Sequence, residues 1–167
     1  MKILDSKIRR YPGAYIAQCA LASVVLMVLF VVEDVLAYPA VLAAIGSTTF
    51  IVFAMPSNPS ATPRRIIGGH FVGVVVGSAC AFFLASSLGV SLQAEVAHAE
   101  DVLAALSVGI AIFAMVLTDT EHAPAAGTAL GLVLVEWDFR VVGFVLIAAV
   151  ALSLAHRVLR SRLKDLT

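Results

Sequence analysis

Two stretches of this sequence carry residues that could do chemistry. The first is His122-Ala123-Pro124-Ala125-Ala126-Gly127-Thr128. Proline fits the first turn of a helix, where its missing N–H breaks no bond. The free N–H groups of that turn and the partial positive charge of a helix start together favour an anion. Gly127 would allow close approach and Thr128 would add a hydroxyl donor. The plainer reading is that Pro124 only starts a helix at a membrane surface. The second stretch is Pro63-Arg64-Arg65-Ile66-Ile67-Gly68-Gly69-His70. Arg64 and Arg65 would either draw an anion to a cytoplasmic mouth or anchor to lipid phosphates. His70, about a turn further in, would either line a path or sit inside as a neutral ring bonded to a backbone carbonyl. Gly46-Ser47-Thr48-Thr49 places small and hydroxyl residues within an apolar run, as a polar path or as hydroxyls that bond back to helix carbonyls. Asp119, Glu121 and His122 could relay protons, but a solvated loop accounts for them as well.

Other chemistries have little to stand on. The chain lacks HExxH, a nucleotide-binding loop, a nucleophile elbow and any pair of metal ligands on one helical face. Cys19 and Cys80 fall in apolar runs without ligand spacing and read as small core or lipid-facing residues. No catalytic residue, metal or cofactor is expected. A formal net charge of zero gives no bias toward nucleic acid.

The elements that must position these residues are membrane helices. Of the 167 residues 61% are hydrophobic and 13% charged, too apolar for an aqueous globule. Mean hydropathy of +1.02 points the same way. Crossing the hydrocarbon takes about 20 apolar residues. Ala14–Val32, Leu36–Met55, Ile66–Leu88, Val102–Leu117 and Val141–Leu159 qualify or nearly so, and the first is too long for a signal peptide. Between the last two lies Ala125–Val135, too short to cross as a regular helix. It is either re-entrant or the helical half of a broken span.

Charge favours a crossing. With the N-terminus in the cytoplasm, a crossing at 124–137 puts ten of the eleven basic residues inside, leaving Arg140 outside. The expected fold is thus an all-α polytopic bundle of the cell membrane, with about six crossings, one of them short and broken, and both termini cytoplasmic. Halves 13–88 and 102–160 would then be inverted copies of three spans each. Ala44-Ile45-Gly46-Ser47-Thr48 after Pro39 is similar to Ala125-Ala126-Gly127-Thr128-Ala129 after Pro124, although such strings also recur by chance. Gly69, Gly73 and Gly77 form a small-residue face for internal packing or for a homo-oligomer contact.

The two stretches together resemble the signatures of the HPP family of small integral membrane proteins. The name-giving His-Pro-Pro reads His122-Ala123-Pro124 here, and the usual Pro-Arg-Asn before the double glycine reads Pro63-Arg64-Arg65. Family members are often described with four spans, and plant and cyanobacterial members are linked to nitrite transport. The resemblance implies a transporter or channel for a small solute, with a small inorganic anion such as nitrite as one candidate. A rival is a scaffold or subunit that packs against a larger membrane partner through the glycine-rich span.

Overall fold

The computed structural model describes residue 8, residues 10–32 and residues 38–167. Lys2, Lys7, Arg9, Glu33, Asp34 and Leu36 lie outside these. Seven α-helices and a 3-10 turn are bounded: α1 Pro12–Val32, α2 Pro39–Ala54, η1 Pro59–Ala61, α3 Pro63–Ala85, α4 Ser87–Glu95, α5 Ala99–Thr118, α6 Ala123–Val133 and α7 Phe139–Leu159. Among the described residues there is no strand.

Local chemistry sets the boundaries. Pro12, Pro39, Pro63 and Pro124 each sit in the first turn of a helix, where no N–H is needed. Asn58 accepts from the Ser60 N–H and shapes the tight turn ahead of α3. Ser86 caps α4 by accepting from the Gly89 N–H, and Asp138 caps α7 by accepting from the Arg140 N–H. Asp119 ends α5 in the left-handed region, at φ 53°, which aspartate tolerates better than most residues.

Helices α1, α3, α5 and α7 are long and apolar enough to cross a bilayer. Large side chains face outward along them, among them Met27, Phe113, Leu117, Ile147 and Val158, as lipid would allow. One short helix is expected from the sequence, but there are two. Pro39 fixes the start of α2 and Met55-Pro56 its end, leaving 16 residues; α6 has 11. At about 1.5 Å per residue these are about 24 and 16 Å, short of the roughly 30 Å hydrocarbon.

Side-chain bonds tie four chain segments to one end of the bundle. The His156 Nε2–H donates to the Pro56 carbonyl at 2.8 Å, joining the end of α7 to the α2–α3 turn. Gln18 of α1 donates to the Phe53 and Lys164 carbonyls and accepts from the Lys164 N–H. The Tyr15 hydroxyl donates to the Leu166 carbonyl. Arg64 and Arg65 reach the end of α5. From this end α6 runs inward, and the following segment brings the Trp137 indole N–H to Ser78 Oγ at 2.8 Å. Ser78 lies some fifteen residues along α3. The start of α7 follows directly, at Phe139.

Helix α6 is enclosed by α2, α3 and α5. Its seat on α3 depends on the glycine stripe. A Cβ at Gly69 would meet the His122 side chain, at Gly73 the Ala125 carbonyl, and at Gly77 the Ala129 backbone. The Gly69/Gly73/Gly77 face is therefore covered by α6 and is not available for a homo-oligomer contact, because the backbone it would offer a second copy is already in contact.

This packing gives a contrast between two glycines. Gly73→Ala should destabilise the purified protein by about 1–3 kcal/mol, since the carbonyl in its way belongs to rigid backbone. Gly109→Ala, where nothing lies within 4 Å, should be neutral or stabilising by up to about 1 kcal/mol. Thermal unfolding of both variants in detergent checks the difference.

Candidate functional site

Four side chains from three helices and one loop meet where α2, α3 and α6 converge. Thr48 comes from α2, His70 from α3, Thr128 from α6, and His122 immediately precedes α6. Each has no solvent exposure. Helical spacing explains the convergence. Ile45, Thr48, Thr49 and Val52 lie on the inward face of α2, while Ile66, Gly69, His70, Gly73 and Gly77 form that of α3. Gly69 and Gly73 bring the α6 backbone close enough for His70 to reach Thr128.

The contacts form one continuous chain. His70 Nδ1 lies 2.9 Å from Thr128 Oγ1, and His70 Nε2 lies 2.9 Å from Thr48 Oγ1. Thr48 Oγ1 is also 2.9 Å from His122 Nε2 and 3.1 Å from the Ala44 carbonyl. The His122 Nδ1–H donates to the Ser60 carbonyl at 3.0 Å. The two imidazole centroids are 5.2 Å apart. All four ring nitrogens thus have partners, as burial in an apolar bundle demands.

Each residue singled out in the sequence can now be located. His70, His122, Thr48 and Thr128 are brought together. Ser47, Pro124 and Gly127 are not part of that chain; with Ala40, Ala44 and Phe50 they line an open, largely apolar groove of about 580 Å³ between α2 and α6. Ala125 is fully buried against Gly73, and Ala126 packs against the cluster formed by Ala111, Met115, Ala125 and Ala129. Gly46 is half-buried with open space at its Cα. Both threonines of the hydroxyl run bond back to helix carbonyls, Thr48 to that of Ala44 at 3.1 Å. Thr49 bonds back to the Ile45 carbonyl at 2.9 Å, whereas Thr48 also bridges the histidines.

At the outer end of the site the charges are balanced. Arg64 pairs with Asp119 at 3.2 Å and donates to the Thr118 carbonyl at 2.9 Å. Arg65 pairs with Asp119 at 2.9 Å and with Glu121 at 3.3 Å. Two carboxylates therefore face two guanidinium groups, and Asp119 and Glu121 make these pairs from a loop that remains partly exposed. One participant had no sequence signal of its own. The Ser60 carbonyl is an anonymous turn atom, and its role follows only from the fold. His156, by contrast, falls in register with Ala149, Leu152 and Ser153 on the buried face of α7, a periodicity readable in advance.

Thr48→Val should cost about 1–3 kcal/mol, because both His Nε2 atoms lose their partner inside the bundle. Asp119→Asn, which keeps a residue tolerant of left-handed backbone, should cost at most about 1 kcal/mol and less at high salt, since its ion pairs are largely exposed. Denaturant unfolding of both variants at two ionic strengths distinguishes these outcomes.

Comparison with known proteins adds the family. The family model described as the HPP transmembrane region matches residues 9–164. Two proteins of Dictyostelium discoideum, both named only as transmembrane proteins, are 35% and 34% identical over 89 residues. Those residues make up 53% of this chain and 28% and 26% of the two relatives, so the chain matches about a quarter of their length. No solved structure matches the chain. With nearly the whole chain matched to that model and the helices packed as a bundle apolar enough for the bilayer, this protein belongs to the HPP family of membrane proteins.

Proposed function

We propose that this protein is a membrane transporter or channel for a small solute, and that a small inorganic anion such as nitrite is its substrate class. The observation that carries this reading is the buried His70–Thr48–His122 contact, held at 2.9 Å on both sides of one hydroxyl. Ionisable side chains inside a membrane bundle are expensive, and apolar residues of similar volume would pack α2 against α3 at lower cost. The scaffold reading loses its docking face, because the glycine stripe of α3 is occupied by α6.

The anion class draws on the start of α6. Pro124 and Gly127 open onto the groove between α2 and α6, so a solute in that groove would face the positive end of a helix. Arg64 and Arg65 contribute less than a bare basic mouth would, since Asp119 and Glu121 neutralise them locally. In this proposal the segment 124–137 crosses, giving six crossings with both termini in the cytoplasm. The halves 13–88 and 102–160 are inverted counterparts, with α2 and α6 as equivalents that pack on each other and α3 and α7 as another such pair.

Flux assays on purified protein in liposomes test the function. Nitrite, nitrate, formate and chloride are offered in turn, and at least one should enter at a rate well above protein-free vesicles. Thr48→Ser should retain that rate and His122→Ala should lower it, since an ionisable residue inside a membrane bundle marks a functional position. No flux of any of the four through folded protein would overturn the anion reading. Cysteine accessibility at residue 167 tests the orientation, and labelling from the outside would overturn it.

A further inference from the structure

The hydrogen atoms along the buried chain can be assigned by counting donors. A carbonyl only accepts, so His122 must carry its proton on Nδ1, facing Ser60 at 3.0 Å. With His122 neutral, its Nε2 can only accept, and Thr48 is its one donor. The Thr48 hydroxyl has a single proton and is then committed to His122. His70 Nε2, 2.9 Å from the same oxygen, must therefore be the donor to it. His70 Nδ1 is left to accept from the Thr128 hydroxyl at 2.9 Å. The neutral chain has one arrangement, with opposite tautomers on the two rings.

Adding one proton changes the count without leaving any atom unpaired. A cationic His122 donates from Nδ1 to Ser60 and from Nε2 to Thr48. The Thr48 proton can then turn to the Ala44 carbonyl, 3.1 Å away. A second arrangement arises when the added proton instead enters at His70 Nδ1, which turns Thr128 into an acceptor. The His70 Nε2 proton then passes to Thr48 as the Thr48 proton passes to His122 Nε2, leaving His70 neutral with its proton on Nδ1 and Thr48 donating to His70 Nε2. From the second arrangement the proton can move. The N–H bond at His122 Nε2 breaks as an O–H bond forms at Thr48, and the original Thr48 O–H breaks as an N–H bond forms at His70 Nε2. The positive charge passes from one ring to the other while Thr48 ends with one hydrogen, as it began. A second proton would place two cations with ring centroids 5.2 Å apart, a strongly disfavoured arrangement in a buried site.

We propose that His122 and His70 form a binding site for one proton with two stations, bridged by the hydroxyl of Thr48, and that this proton is the coupling ion of the transport cycle. The coupling clause rests on the transport reading above; the site itself does not. The surroundings suit a single mobile charge. Neither α2 nor α6 contains an ionisable residue, and the ring contacts from them are the hydroxyls of Thr48 and Thr128. The charged groups nearby in the chain are Arg64 and Arg65 on α3 and Asp119 and Glu121 in the α5–α6 loop, paired with each other at the end of the bundle. His156 is engaged separately by the Pro56 carbonyl. The exit toward Ser60 ends on a carbonyl, so the geometry describes a site that holds and shifts a proton rather than an open wire.

Nitrogen-15 NMR of histidine-labelled full-length protein in lipid nanodiscs tests the site directly. At neutral pH, His122 should report the Nδ1–H tautomer and His70 the Nε2–H tautomer. As pH is lowered from about 8 to about 3, the two rings together should gain one proton with a common midpoint. In Thr48→Val the common midpoint should be lost, and Thr48→Ser should restore it. Identical tautomers on both rings, independent midpoints, or no protonation over that range would each overturn the site. A parallel assay measures nitrite entry into liposomes with and without an imposed pH gradient. Entry that accelerates severalfold with the inside alkaline supports coupling, and entry indifferent to the gradient overturns it. If no nitrite moves while the NMR result stands, the transport reading has failed and the proton site has not.

Discussion

The approach of α6 to α3 is the constraint on which most of this structure depends. Two helices normally keep their axes 8–10 Å apart because side chains stand between them. Here Gly69, Gly73 and Gly77 remove those side chains along one face, and the carbonyls and Cβ atoms of α6 occupy the space. In a bilayer there is no hydrophobic gain from associating two apolar helices, so close van der Waals contact and interhelical hydrogen bonds must supply the attraction. Once α6 is seated, it in turn becomes the surface on which α2 and α5 pack. A helix of 11 residues could not hold its position against lipid alone, and its burial on several sides compensates for its length.

The same approach determines what the polar residues can do. His70 stands one position after Gly69 and three before Gly73, so its ring emerges where α6 is nearest. Thr128 and Thr48 flank it from α6 and α2, and His122 closes the chain just ahead of α6. Each of these groups is fully buried, so each must find a partner within the protein. A network of this type is highly cooperative with the fold. Moving α6 outward by the thickness of a methyl group would break the contact to Thr128 and leave His70 Nδ1 unsatisfied. The polar chain and the glycine stripe therefore impose one register on α6, a restriction that apolar packing alone would enforce more weakly.

Much of this could be read from residue types and their order. The long apolar runs predicted the bundle, and the spacing of small residues predicted a close helix contact. His70, His122, Thr48 and Thr128 stood out because ionisable and hydroxyl groups inside apolar segments need partners. Their mutual pairing was not legible, because it depends on three helices meeting across 74 residues of chain. Charge was legible in the same limited sense. Arg64 and Arg65 looked like a basic mouth, but Asp119 and Glu121 return to them from 54 and more residues away. Gln18 shows the reverse case: a lone amide in an apolar run signals a buried partner, yet only the fold reveals that the partner is the C-terminal tail.

The segment after α6 completes the physical picture. From Leu134 to Asp138 the chain is not helical, although α6 is only about 16 Å long. Backbone that leaves a helix needs other partners or cover. Trp137 provides part of that cover: its indole bonds to Ser78 on α3 and its ring packs between Phe82 and Phe139. Ser78 directly follows Gly77, the last residue of the stripe that admits α6. The helix that seats the short segment thus also receives the irregular chain that follows it. One face of α3 therefore supplies the close packing for α6, a ring for the buried polar chain, and an anchor where the helix stops.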